Sequence, residues 1–265
     1  MDSTSPLPLL IAGPCVIESE AECLLIAREA ATAAAEHGFD FVFKASFDKA
    51  NRTSGDAFRG PGLRAGLDIL ARVRDLASVR VTTDVHLPSQ VEAVAKVVDV
   101  IQIPAFLCRQ TDLLIAAGAA GRVVNLKKGQ FLAPSAVAPA VEKIRAAGAP
   151  EVWVTERGTA FGHGDLVVDF RGTPGLQAAA DRAVFDATHS AQRPPSTGGE
   201  RSTGGRRADV PVLACAAAGA GFDALFVETH PDPRRARSDA ATQWHLSRLP
   251  ELLRLFGAVV EARRR

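Results

Sequence analysis

Short apolar runs recur along the chain, and each ends abruptly in polar or charged side chains. Leu9–Ala12 ends at Gly13-Pro14-Cys15, Phe39–Phe43 at Lys44, Val79–Thr83 at Asp84-Val85-His86, and Val100–Ile103 at Pro104. Arg122–Leu126 runs into Lys127-Lys128-Gly129-Gln130, and Glu151–Thr155 into Glu156-Arg157-Gly158. Ala183–Ala187 meets Thr188-His189, and Ala224–Val227 meets Glu228-Thr229-His230. Runs this short, with no helical period, read as buried strands. Helical segments lie between them. Ser19-Glu20-Ala21-Glu22 is a capping pattern that opens an Ala-rich helix to Glu36, and Gly38 stops it. Leu63 to Leu76 is apolar at 63, 67, 70, 73 and 76, a helical period. Further helices are expected from Pro88 to about Val97, Gln110 to Ala117, Pro134 to Ala147, Gly175 to Asp181, Val212 to Ala218 and Trp244 to Arg263. Leu166–Phe170 reads as a strand or an extended loop. Taken as loop, it leaves eight strands alternating with helices. That pattern predicts an α/β fold, a single (β/α)₈ TIM barrel over residues 1–265. A doubly wound sheet is the competitor, but no GxGxxG turn follows the first strand.

Composition narrows the function. A chain of 265 residues, 47% hydrophobic, has ample core for a barrel. A net charge of +1 argues against a nucleic-acid surface, though not against a small basic pocket. Cysteines 15, 23, 108 and 215 form no CxxC, so disulfides are not expected and a reducing cytoplasm is. Met1 to Pro8 lacks the pattern of a secretory signal, and no apolar run reaches the length of a membrane span. Residues 192–209 are rich in Pro, Gly, Ser and Arg and are expected to form a mobile loop.

The charges are not scattered. Only six lysines occur, and Lys44, Lys49, Lys127 and Lys128 follow directly from two apolar strands. Barrel chemistry gathers at the C-terminal ends of the strands. Cys15, Lys44, Asp84, Gln102, Lys127, Arg157, His189 and Glu228 fall there. Singly, each has a plainer reading: Cys15 as a small buried hydrophobe, His189 as a structural histidine, Asp84 and Glu228 as helix caps. Together they are harder to explain by packing. Strand 8 closes between strands 7 and 1, so His189, Glu228 and Cys15 should share one sector, with Asp239 as a fourth ligand. Sulfur, nitrogen and oxygen donors suit a divalent ion such as Zn²⁺ or Fe²⁺. The opposite sector is expected to hold Lys44, Lys49, Lys127 and Arg157, matched to a phosphorylated carboxylic acid. Asn51, Arg52 and Thr53 suggest a second phosphate.

The segments "IAGPCVIES", "FKASFDKANRTS", "TDVHLPSQ", "IQIPAFLCRQTDLL", "VNLKKGQF", "TERGTAFG", "FDATHS" and "FVETHPDP" together resemble the 3-deoxy-D-manno-octulosonate 8-phosphate synthases. The likeness runs in order from about Leu9 to Asp239. It implies a homotetrameric (β/α)₈ barrel condensing phosphoenolpyruvate with D-arabinose 5-phosphate and water, for the lipopolysaccharide core. By the same resemblance Lys49, Lys127 and Arg157 hold phosphoenolpyruvate, and Gln102 and Ala105 line its site. Lys44 and Asp84 join the substrate-binding set, and Lys127 is the candidate proton donor. Asn51, Arg52 and Thr53 take arabinose 5-phosphate, whose phosphate Arg109 reaches from a neighbouring subunit. The family has a metal-dependent branch with Cys, and a metal-independent one with Asn, at the position of Cys15. Cys15, His189, Glu228 and Asp239 therefore imply bound Zn²⁺, Fe²⁺ or Mn²⁺, with His189 also facing phosphoenolpyruvate. Three departures stand out: Thr53 replaces the usual Ser, His163-Gly164-Asp165 replaces a Tyr-Asn-Asn-like run, and the 192–209 loop is unusually Arg-rich. Rival readings are a 3-deoxy-heptulosonate or sialic acid synthase, or an anion-binding barrel without turnover. "KANRTS" favours the five-carbon phosphate over the first two.

Overall fold

The computed structural model describes residues 6–51, 55–160, 165–193 and 204–265. Eight strands pair in parallel in chain order. They are β1 Leu9–Gly13, β2 Asp40–Lys44, β3 Arg80–Asp84, β4 Val100–Ile103, β5 Val123–Lys127, β6 Val152–Glu156, β7 Arg182–Asp186 and β8 Ala224–His230. Leu9 to Gly13 align with Ala224 to Glu228, which joins β8 to β1 and closes the barrel. The helices that return the chain are α1 Glu20–Glu36, α2 Leu63–Ala77, α3 Pro88–Ala95, α4 Thr111–Gly118, α5 Ala138–Ala146, α6 Thr173–Ala179, α7 Val210–Ala220 and α8 Leu249–Arg264. The expected (β/α)₈ barrel is the fold observed. Among the described residues no helix is long and apolar enough to cross a membrane.

The period of two along a strand sorts the side chains. Leu9, Ile11, Val42, Val100, Trp153, Val184, Ala224 and Phe226 meet inside the barrel. Their neighbours Leu10, Phe43, Ile101, Val154, Phe185 and Leu225 pack outward under the helices in the larger core. One step further along the same inward rows come Lys44, Gln102, Asp186 and Glu228. Each is 6% exposed or less. The apolar floor and the polar mouth are thus successive layers of one alternation. Gly13 lets the ends of β1 and β2 approach, since a Cβ there would overlap the Lys44 carbonyl.

Several boundaries differ from expectation. The last helix begins at Leu249, five residues after Trp244, because Trp244–His245 instead pairs in parallel with Thr229–His230. Pro250 at the first turn is the sequence signal for the later start. Pro134–Val137 is a 3₁₀ turn ahead of α5. Leu166–Phe170 is not a strand: Val167 makes one antiparallel bridge with Thr159. Within 192–209, Gln192–Arg193 pairs antiparallel with Gly204–Gly205. Residues 194–203, like Arg52, Thr53, His163 and Gly164, lie outside the described residues.

Candidate active site

The mouth of the barrel opens into a cavity of about 770 Å³. Lys44, Lys49, Asn51, Asp84, Gln102, Ala105, Lys127, Arg157, His189 and Asp239 line it. Arg109 is exposed and does not line its own chain's cavity.

Four expected ligands converge on one side. Cys15, Glu228 and Asp239 bring ligand atoms within 4.8 Å of one another. His189 Nε2 lies 3.7 Å from Glu228 Oε1 and 3.6 Å from Asp239 Oδ2. The Cys15 sulfur lies within hydrogen-bond distance of Ser238 Oγ at 2.9 Å and Asp239 Oδ2 at 3.2 Å. Burial, then the Asp239 and Glu228 charges, push that thiol's pKa well above its ordinary value. Glu228 Oε2 is buried with no hydrogen-bond partner among the described residues. A buried carboxylate oxygen left over beside a thiol and an imidazole is what a cation would satisfy, so the donor set fits a divalent ion.

A second group, Glu18, Glu22 and His230, fits one poorly. His230 Nδ1 accepts the Asp232 N–H at 3.0 Å. The ring proton of neutral His230 is therefore on Nε2, which lies 3.3 Å from Glu22 Oε1 without a hydrogen bond to it, and a protonated ring nitrogen offers no lone pair to an ion.

Asp186, which the sequence reading passed over, joins the two halves of the site. Its Oδ2 bonds both Lys127 Nζ and His189 Nδ1, the latter at 2.7 Å. Its Oδ1 accepts the His189 N–H at 2.8 Å and the Thr188 hydroxyl at 3.2 Å. With Nδ1 held by a carboxylate, Nε2 of His189 is turned to the cluster. Burial opposes charge on His189, but Asp186 and then Glu228 hold its pKa above the ordinary value. The signal for Asp186 was present, as Val184 plus two points inward.

Lys127 Nζ also stands 3.6 Å from the centre of the Phe226 ring. Burial outweighs the Asp186 charge and brings the Lys127 pKa down to about 8, with Arg157 and Lys44 adding to the fall. Arg157 Nη2 donates to Gln192 Oε1 at 2.8 Å, while its Nε is buried without a partner among the described residues. Lys49 Nζ donates to Ser46 Oγ at 2.8 Å, and Ser46 donates to Asp84 Oδ1 at 2.5 Å. Burial works against charge on both, but their mutual attraction and neighbours prevail. The Lys49 pKa stands above, and the Asp84 pKa well below, its ordinary value.

One expectation needs correction. The cationic sector is not opposite the thiol cluster. Because β2 neighbours β1, Lys44 reaches beneath Cys15, donating to its carbonyl at 3.0 Å and to Glu228 Oε1 at 3.1 Å. Lys128, one residue out of phase with Lys127, points away from the mouth. It is buried among the carbonyls of Gly129, Leu132 and Gly158, beside Glu156.

A family model described as the DAHP synthetase I family matches residues 5–263. Among curated proteins, the chain is 54% identical over 250 residues to the 2-dehydro-3-deoxyphosphooctonate aldolase of Nitratidesulfovibrio vulgaris strain DP4, covering 94% of this chain and 91% of that one. The protein of the same name from Syntrophotalea carbinolica is 52% identical over 250 residues, covering 94% and 90%. That of Pisum sativum is 49% identical over 247 residues, covering 92% and 85%. Matched almost from end to end in this way, the chain belongs to the DAHP synthetase I family.

Proposed function

We propose that this protein condenses phosphoenolpyruvate with D-arabinose 5-phosphate and water, giving 3-deoxy-D-manno-octulosonate 8-phosphate and inorganic phosphate. The observation that carries it is one cavity joining cationic side chains to a thiol, imidazole and carboxylate cluster. The 3-deoxyoctulosonate reading, over a heptulosonate, rests on relatives about half identical that bear the phosphooctonate name.

Lys49, Arg157 and Lys127 neutralise phosphoenolpyruvate, with Lys44, Asp84, Gln102 and Ala105 shaping its pocket. Asn51, Arg52 and Thr53 bind arabinose 5-phosphate, and Arg109 reaches its phosphate from a neighbouring subunit of a homotetramer. Holding two anions against their repulsion fixes C3 of one opposite the aldehyde of the other, which contributes several kcal/mol of the barrier. As C3 attacks, negative charge grows on the aldehyde oxygen and positive charge at C2. Lys127 delivers a proton to that oxygen. Its lowered pKa, about 8, makes it a stronger acid than an ordinary lysine. Water adds at C2, and phosphate leaves by C–O cleavage. Cys15, His189, Glu228 and Asp239 would hold Zn²⁺, Fe²⁺ or Mn²⁺, which supplies Lewis acidity toward an oxygen beside the cationic groups.

The test is phosphate release from phosphoenolpyruvate with arabinose 5-phosphate, erythrose 4-phosphate or a mannosamine derivative. Arabinose 5-phosphate should be preferred. Chelation should abolish turnover and added metal restore it. Preference for erythrose 4-phosphate, or no phosphate release at all, overturns the reading.

A further inference from the structure

Asp239 stands in a backbone conformation that the surrounding turn helps to hold. Its φ is +48°, in the left-handed region that a non-glycine residue seldom occupies. The turn that follows is closed from within. Thr242 N–H and Gln243 N–H both donate to the Asp239 carbonyl at 3.0 Å. Gln243 Nε2 donates to the Ser238 carbonyl at 2.8 Å.

Two groups from another part of the chain seal the same turn from outside. Arg207 Nε donates to the Gln243 carbonyl at 2.6 Å, and Nη2 donates to the Ala240 carbonyl. Gly205 lies so close that a Cβ there would overlap the Thr242 methyl group. Both are anchored in turn. Arg206 N–H donates to the Ala191 carbonyl at 3.0 Å, and Gly205 pairs with Gln192. The backbone leaving His189 thus comes back to set a guanidinium on the loop that carries Asp239. The guanidinium is a rigid planar fork whose donors meet two carbonyls in one fixed geometry, whereas an ammonium is a point charge on a flexible stem.

We propose that Arg207, seated by Gly205, is a positioning residue that holds Asp239 against His189 and Cys15 and so sets the affinity of the ion site. The proposal rests on the metal reading above and goes beyond it, because Arg207 belongs neither to the cavity lining nor to the ligand cluster. The test uses the full-length protein with Zn²⁺ alone, in competition with a chromophoric chelator, and amide exchange at Thr242 and Gln243.

Arg207→Ala should weaken Zn²⁺ binding about tenfold or more, the scale of lost outer-shell support. Arg207→Lys should fall between, and Gly205→Ala should move the same way. Exchange at Thr242 and Gln243 should quicken roughly tenfold in Arg207→Ala as the turn opens locally. In an Asp239→Ala background, Arg207→Ala should weaken Zn²⁺ no further, since its effect passes through that carboxylate. Wild-type affinity and exchange in both Arg207→Ala and Gly205→Ala overturn the proposal. So does a full loss that persists without Asp239, which marks Arg207 as merely structural. If wild-type protein binds Zn²⁺ no better than Cys15→Ser, the metal reading fails and the affinity claim with it, while faster exchange alone still upholds the clamp.

Discussion

Lys127 rests on the face of Phe226 with Asp186 as its partner, and burial holds its pKa near 8. If its ammonium is the proton donor, the active form is full below that value and is lost as pH rises through it. The kcat/KM profile should therefore fall on the alkaline side near pH 8. Lys127→Arg should move that limb upward and lower kcat about 100-fold; an unmoved limb would assign the proton to another group. Asp186 makes a separate prediction, through His189 Nδ1. Asp186→Asn keeps the shape but removes the charge that orients the imidazole. Its metal affinity, read by chelator competition, should drop about 10–100-fold. Cys15→Ser should lose metal and activity together. Full chelator-resistant turnover in that variant is the result that ends the metal reading.

At the scale of elements, strand phase decides what each lysine does. Lys127 continues the row of Val123 and Asn125 into the mouth, while Lys128 is turned beneath the loops after β5 and β6 and bonds their carbonyls. The same parity brings Asp186 inward from Val184 and Glu228 inward from Phe226. The β1 and β2 ends depend on a close approach at Gly13, on which both Cys15 and Lys44 hang. Gly13→Ala should force them apart at about 1–3 kcal/mol, the usual range for overpacking. In a chain of this size each kcal/mol lowers Tm by about 2–4 °C. Scanning calorimetry checks it, and an unchanged Tm would mean that the two strand ends part freely.

For the whole molecule, Arg109 raises the question of assembly. It is exposed and does not itself line its own chain's cavity, although Leu107, two residues before it, does. If a neighbour's site receives it, light scattering should report a tetramer. Arg109→Ala should then raise the KM for arabinose 5-phosphate and leave that for phosphoenolpyruvate near its starting value. A monomer with full activity would remove Arg109 from the site.

Short apolar runs without a helical period, set between segments that have one, made the barrel legible, because both are local patterns along the chain. The polar strand ends made the mouth legible too, since a barrel admits chemistry at one face. The β8 edge that Trp244–His245 joins was hidden, because pairing with Thr229–His230 is a distant event. Asp186 as the bridge between Lys127 and His189, Lys44 beneath Cys15, and Arg207 on the Asp239 turn were decided only by tertiary structure. Their partners are set by closure of the ring, which brings together side chains far apart along the chain. A local pattern can say that a residue faces inward; only the closed ring says whom it meets.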